Sequence, residues 1–153
     1  MELLSHCKII AQSKHSKFEQ VNLLLQVRTS FDGFKSVTGE DARSKRLIAR
    51  LVLSRGTLII VGNEFWHSGK LRADHAKVSL IYSPRRSPCE FNVKQARSCH
   101  DRFFKYVKGK TVYPLTELLT DLTKTRATFD RRYTTCSRGI HFFMHEVDAK
   151  NYY

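Results

Sequence analysis

Residues 47–61 read LIARLVLSRGTLIIV and hold two apolar runs on either side of a short polar break. Both runs are rich in leucine and β-branched residues, which is typical of buried strands. The break, Ser54-Arg55-Gly56, ends in a glycine that can adopt a positive φ angle. The sequence therefore predicts a β-hairpin here, with Arg46 and Arg50 directed to solvent.

Upstream of this stretch, the pattern favours helix. Residues 1–12 fit either a strand or a helix. Ser16 and Glu19 have the spacing of a capping box, and apolar residues then recur at helical intervals, so a helix is predicted over 17–27. A turn is expected at 31–34 and a polar loop at 36–44. Residues 1–44 are therefore predicted to be an N-terminal helical extension packed on the domain.

Downstream, residues 45–153 are predicted to form a basic α+β domain. Strands are expected at 77–82, 105–107 and 139–144, and an extended segment at 111–113. Helices are expected at 93–104, 115–122 and 146–153, with loops at 63–70 and 126–138. Because the order has no regular βαβ period, the predicted class is α+β, a single compact domain with a mainly antiparallel sheet and a few short helices.

Length and composition set the broad class. A chain of 153 residues with 41% hydrophobic residues suits one globular domain. No apolar run approaches the ~18 residues that span a bilayer, and the first residues do not resemble a secretory signal. The four cysteines have no paired spacing, which favours free thiols in a reducing compartment. The expected location is intracellular (cytoplasmic or nuclear) or virion, with no membrane partner.

Positive charge is concentrated in the middle of the chain. Lysine and arginine number 27 against 14 acidic residues, for a net charge of +13. Residues 43–110 alone contain sixteen of these cations and four acids. Such an excess attracts polyanions and speeds their capture.

Five basic clusters occur along the sequence, and several place aromatic residues beside the cations, as base-stacking surfaces do. Taken singly, each cluster is more simply explained as a solvated face with its aromatic residues turned into the core, but the net charge argues against all five being incidental. If they converge, the predicted phosphate contacts are Arg46, Arg72, Arg85, Arg86, Arg102, Lys105, Lys108 and Lys110.

Three segments carry a family resemblance. They read LRADHAKV at 71–78, FKYVKGKTV at 104–112 and CSRGIHFF at 136–143, the last followed by Asp148-Ala149 and Tyr152. In this order they resemble an uncharacterised domain found C-terminal to pentapeptide repeats, mostly in large DNA viruses and protists. The resemblance covers about residues 45–153, although Leu71 replaces a cysteine of that pattern. It implies a fold unit and a lineage, with no assigned activity.

A fainter resemblance concerns the C-terminal segment. Residues 139–152 are similar to the G-I-Y-F…N-Y stretch of poly-ADP-ribose polymerases, which is a strand followed by a helix. This similarity implies a pocket near His141 and Tyr152, with Tyr152 placed as the tyrosine that stacks on nicotinamide. The H-G-T strand of that family is missing from this sequence, so retained transferase chemistry is not expected.

Metal and catalytic motifs are also not expected. If 139–144 is a strand, His141 and His145 lie ~13 Å apart on one face and cannot share an ion. Cys136 with His141 is conceivable as a nucleophile and base, but a small apolar filler explains Cys136 more simply. No P-loop or nucleophile elbow is present. The sequence predicts no catalytic residues, no metal and no cofactor.

The leading hypothesis is a non-enzymatic basic module that binds nucleic acid, RNA or DNA, within a larger assembly such as a virion or ribonucleoprotein particle. One alternative is a degenerate ADP-ribosyltransferase-like fold with a nucleotide pocket. Another is a viral structural or interaction protein that binds an acidic protein surface.

Overall fold

A computed structural model describes residues 2–15, 20–40, 45–84, 93–99, 103–114 and 139–152. These residues form two β-sheets and a few short helices. Every strand pairing within the two sheets is antiparallel. The architecture is therefore mainly antiparallel β.

The first sheet has five strands in the order β1–β2–β5–β6–β11. A short 3-10 helix, Glu2–Ser5, precedes it. The strands are β1 (Cys7–His15), β2 (Gln20–Val27), β5 (Leu58–Val61), β6 (Leu71–Ala73) and β11 (Ile140–Phe142).

The second sheet has six strands in the order β10–β7–β4–β3–β8–β9. They are β3 (Phe31–Gly39), β4 (Arg46–Leu53), β7 (Ala76–Tyr82), β8 (Gln95–Ser98), β9 (Lys105–Val107) and β10 (Thr111–Val112). Only Lys108, Gly109 and Lys110 join β9 to β10, although these strands stand at opposite ends of the pairing order. The sheet must therefore curl until its two edges approach each other.

Two α-helices flank the sheets. Helix α1 (Asn63–Ser68) ends at Gly69, whose φ of 80° closes the last turn in a left-handed conformation. Helix α2 (Glu146–Asn151) follows β11 and packs against β3 and β4. This packing brings the C-terminal segment onto the second sheet.

A single buried cluster takes side chains from both sheets. Phe142 of β11 is fully buried and lies against Gly33 of β3, where a Cβ atom would come within 2.5 Å of the Phe142 ring. Next to this contact, Phe34 and Phe143 exchange two backbone hydrogen bonds of 2.8 Å. Strand β11 therefore pairs within the first sheet, and it contacts the second sheet through the Phe142 ring and the backbone of the next residue, Phe143.

The helix predicted over 17–27 is wrong, because residues 20–27 form β2, which pairs with β1 on one side and β5 on the other. Residues 22–25 are buried consecutively, so their apolar spacing reflects a covered strand instead of a helix face. The turn predicted at 31–34 and the start of the loop predicted at 36–44 both lie within β3.

Of the hairpin predicted at 47–61, the two strands are confirmed but their pairing with each other is wrong. Both strands form, and Gly56 has the expected positive φ, 93°. However, β4 pairs with β3 and β7, whereas β5 pairs with β2 and β6. The break at 54–56 therefore carries the chain from one sheet to the other. Arg50 forms an ion pair with Asp32 of β3.

Two further segments differ from expectation, since residues 95–98 form β8 where a helix was predicted, and the loop predicted at 63–70 contains α1. The strands predicted at 77–82, 105–107 and 139–144, the extended segment at 111–113 and the terminal helix are confirmed within a few residues. The helix predicted at 115–122 and the basic loop at 126–138 lie outside the described residues.

The predicted fold class holds in its coarser form, antiparallel strands with few short helices, but there are two sheets where one was expected. Strands from both sides of the predicted 44/45 boundary pair with each other, as β3 does with β4. The division itself stays a prediction. No helix of the described ranges is long and apolar enough to cross a membrane.

Candidate functional site

The predicted phosphate contacts do not share one surface. Lys105, Lys108 and Lys110 are exposed on β9 and the turn after it. Arg46 is half-buried at the start of β4, with its guanidinium 3.5 Å from the backbone carbonyl of Lys150. Arg72 is only 3% exposed within β6, so it is not available to a nucleic acid on the surface. The remaining predicted contacts, Arg85, Arg86 and Arg102, lie outside the described residues.

Four exposed lysines lie in the β9–β10 turn or on backbone segments that pair with it. The amide of Lys108 donates to the carbonyl of Lys94 at 2.9 Å, and the carbonyl of Lys110 accepts from the Val78 amide at 2.9 Å. Lys77 is paired in register with Thr111. We call Lys77, Lys94, Lys108 and Lys110 the lysine surface.

The lysine surface is uncompensated by neighbouring acids within the described ranges, where no carboxylate forms a salt bridge with any of its four ammonium groups. Lys105 differs, because its ammonium lies 3.7 Å from the Glu40 carboxylate. Beside the turn, the ring of Tyr113 is 64% exposed and stacks on His75 with centroids 5.8 Å apart. The surface thus combines positive charge with an accessible aromatic ring.

A separate pocket of about 120 Å³ opens where β3, β11 and the end of α2 meet. His141 and Tyr152, the two residues named as pocket candidates, both line it. The other lining residues are Lys35, Ser36, Lys70, Cys99 and Phe143.

The fold fixes the pocket walls through several elements. Strand β3 carries Lys35 and Ser36, and the connection from α1 to β6 carries Lys70. Tyr152 follows α2, and its ring packs against Phe143 with centroids 5.1 Å apart. The ammonium of Lys70 donates a hydrogen bond of 2.8 Å to the Tyr152 hydroxyl. Lys70 is 8% exposed, and its ammonium forms a long ion pair with the Glu64 carboxylate at 3.9 Å.

Lys35 occupies a core-facing position of β3, between buried Gly33 and Val37. Its ammonium donates to the carbonyl oxygen of His141 at 3.1 Å and lies 5.8 Å from the centroid of the Tyr106 ring. Burial and the positive charge of Lys70 lower the pKa of Lys35 to about 8. No described carboxylate comes within salt-bridge distance of this ammonium.

The remaining wall is formed by β3 and the residue after β8. The thiol of Cys99 lies 3.3 Å from the Thr38 hydroxyl and 3.5 Å from the Ser36 carbonyl oxygen. The Ser36 hydroxyl oxygen is buried and has no hydrogen-bond partner in the described part of the chain. Burial raises the pKa of the Tyr106 hydroxyl, which is therefore neutral at physiological pH.

Sequence reasoning missed Lys35 and Lys70, the two cations of the pocket. Each looked like an ordinary solvated lysine, and their segments were predicted to be a loop or its edge. A third cation lies near the pocket, because the register of the β6–β11 pair places buried Arg72 directly opposite His141. Within the described ranges, no group of three or more histidine, cysteine or acidic residues could hold a metal ion.

Comparisons with known proteins place the chain in a lineage. The model of a family of unknown function (DUF5758) matches residues 21–149. Uncharacterized protein L223 of Acanthamoeba polyphaga mimivirus is 31% identical over 133 residues, which cover 86% of this chain and 76% of that protein. No solved structure matches. The expected uncharacterised viral domain is thus supported, whereas the link to pentapeptide repeats and the similarity to poly-ADP-ribose polymerases stay predictions.

Proposed function

Since the chain belongs to this family of unknown function, we propose from its geometry that it is a non-enzymatic basic module that binds nucleic acid through the phosphate backbone. The observation that carries the proposal is the lysine surface, four exposed lysines on backbone segments that pair around one turn. Ammonium groups that contact phosphates release condensed counterions, and this release drives sequence-independent binding.

The aromatic ring beside the lysine surface favours single strands over duplexes. A base that is free of pairing can stack on an exposed ring, and such stacking tolerates any sequence. Tyr113, the residue directly after β10, has such an exposed ring. A single strand would therefore place its phosphates on the lysines and a base on or near Tyr113.

The test compares two charge-matched double variants by fluorescence anisotropy with labelled single-stranded and duplex oligonucleotides. Lys108→Gln with Lys110→Gln removes two cations from the lysine surface. Lys8→Gln with Lys150→Gln removes two exposed cations elsewhere, on β1 and α2. We expect the first pair to weaken binding for all sequences and to reduce the magnitude of the log–log salt slope by about 1.4 on single strands.

The control pair should change affinity and slope much less. Equal losses in both pairs would mean that only the net charge matters, and no binding at about 50 mM salt would remove the proposal. Tyr113→Ala should weaken single-strand binding more than duplex binding.

The same assay distinguishes a nucleic-acid partner from an acidic protein partner. A polyglutamate peptide that competes as well as an oligonucleotide of equal charge, with no effect of Tyr113→Ala, would favour a protein partner. Assembly into a virion or ribonucleoprotein particle remains part of the proposal. The third hypothesis, a degenerate transferase fold, concerns the pocket, which shares no residue with the lysine surface.

A further inference from the structure

We propose that the pocket between β3, β11 and the end of α2 binds the phosphate group of a small molecule. The ammonium groups of Lys35 and Lys70 would carry its charge, and the hydroxyls of Ser36 and Tyr152 would complete its hydrogen bonds. This site is independent of the lysine surface and does not rest on the proposed function.

The charge balance of the pocket is the first argument. Two ammonium groups line one small cavity, where Lys70 forms one long ion pair with Glu64 at 3.9 Å and Lys35 has no carboxylate partner in the described ranges. Removing a cation from water is costly unless an opposite charge lies beside it. A bound dianion would supply that charge to both lysines at once.

The donor inventory is the second argument. An ammonium group has three N–H donors, and the contacts of Lys35 use one of them, on the His141 carbonyl. The Tyr152 hydroxyl accepts from Lys70 and so keeps its own proton free to donate. The buried Ser36 hydroxyl lacks a partner in the described chain. The pocket therefore holds donors in excess of acceptors, as an oxyanion site does.

Size and donor type indicate phosphate instead of carboxylate. The donors arise from three separate parts of the fold, which suits a tetrahedral group, and none of the described lining residues is an arginine, whose fork would match a planar carboxylate. The volume of about 120 Å³ is several times the ~10–15 Å³ that one water needs. The rings of Phe143 and Tyr152 give the remaining wall an apolar surface for the rest of a phosphate ester.

The probe is inorganic phosphate, titrated by isothermal calorimetry into the whole chain in a chloride buffer. Lys35→Met and Lys70→Met each remove one charge while keeping an unbranched side chain that is one atom shorter. We expect each to weaken phosphate binding by about tenfold or more. Lys108→Met, which makes the same charge change on the lysine surface, should bind phosphate as the unchanged chain does.

Each set of variants also serves as the control for the other site. Lys35→Met should leave oligonucleotide binding unchanged, whereas the lysine-surface variants should leave phosphate binding unchanged. If circular dichroism shows that Lys35→Met does not fold, phosphate binding by Lys70→Met and Tyr152→Phe tests the proposal instead. Both variants should bind phosphate more weakly than the unchanged chain. Absence of phosphate binding to the unchanged chain at millimolar concentration, or equal binding by all variants, would overturn the proposal.

Titrations with further ligands show whether the pocket binds free phosphate or a phosphate ester. Adenosine monophosphate and glycerol phosphate test whether the apolar wall contributes, and either binding more tightly than inorganic phosphate identifies an ester as the ligand. Equal affinities would identify the phosphate group alone, which also supports the site. Acetate binding as tightly as phosphate would overturn the assignment to phosphate.

Discussion

The ammonium group of Lys35 donates a hydrogen bond to the carbonyl oxygen of His141 at 3.1 Å, which ties β3 of the second sheet to the edge strand of the first. Lys35 is half-buried, and a lysine at a core-facing position is unusual because lysines mostly lie at the surface. Here the partner is a backbone carbonyl, which satisfies a donor without neutralising the charge. This relationship has a measurable pH dependence.

Lys35 should make the protein more stable as the pH rises from about 8 towards 10.5. Its pKa falls from the ordinary 10.5 to about 8 in the folded state, through burial and the charge of Lys70. In this window the unfolded chain holds a proton that the folded chain has released, so the free energy of unfolding increases with pH. Below about pH 8 both states are protonated, and this gain is absent.

The measurement is the difference in unfolding free energy between the unchanged chain and Lys35→Met, by urea denaturation across this window. The difference isolates Lys35 from the other titratable groups around it, which are Lys70, Cys99, Tyr106, His141 and Tyr152. Lys108→Met serves as an exposed control. Parallel pH curves for the unchanged chain and Lys35→Met would contradict the lowered pKa.

Phe142→Ala should destabilise the protein by about 3–5 kcal/mol, since it removes a fully buried ring and leaves a cavity. The ring lies between Gly33 and Phe31, whose centroid is 6.3 Å from that of Phe142. Val147→Ala, at a position 58% exposed on α2, should change stability by less than about 0.5 kcal/mol. Equal melting temperatures for the two variants would place Phe142 at the surface.

The strand and helix around Phe142 were predictable because their signals are local. A continuous apolar run followed by a short polar segment with spaced apolar residues identifies 140–151 without knowledge of the rest of the chain. Strand β2 was not predictable in this way. Its apolar residues repeat at helical spacing, and only pairing with β1 and β5 selects the extended form.

The pocket was only partly visible in the sequence. His141 and Tyr152 were named through a resemblance, and the structure places both at one cavity. Lys35 and Lys70 carry no local mark that separates them from the other lysines. Their burial depends on strands and a helix more than 60 residues away, such as the carbonyl of His141, 106 positions from Lys35.

Gly33→Ala should cost about 1–3 kcal/mol of stability through overpacking. A Cβ atom there would lie 2.5 Å from the Phe142 ring and 2.9 Å from the Leu53 side chain, both shorter than real contacts. The measurement is a double-mutant cycle with Phe142→Leu, whose smaller side chain leaves room for the methyl group. We expect the double variant to lose less than the sum of the single losses. Strict additivity would show that Gly33 and Phe142 do not touch.

Cys99 should react with iodoacetamide faster than Cys7, because Cys99 is exposed whereas Cys7 is 3% exposed. Burial also raises the pKa of the Cys7 thiol to about 11, so almost none of the reactive thiolate is present at neutral pH. Mass spectrometry of digested protein after short labelling measures both sites in one sample.

The same labelling reports on the pocket, since Cys99 lines it. Phosphate bound between Lys35 and Lys70 should slow the alkylation of Cys99 by shielding the thiol. Sodium chloride at equal ionic strength controls for screening, and Lys70→Met should abolish the protection. If phosphate slows Cys99 no more than chloride does, or if Cys7 reacts as fast as Cys99, then the thiol and the proposed anion site do not share this cavity.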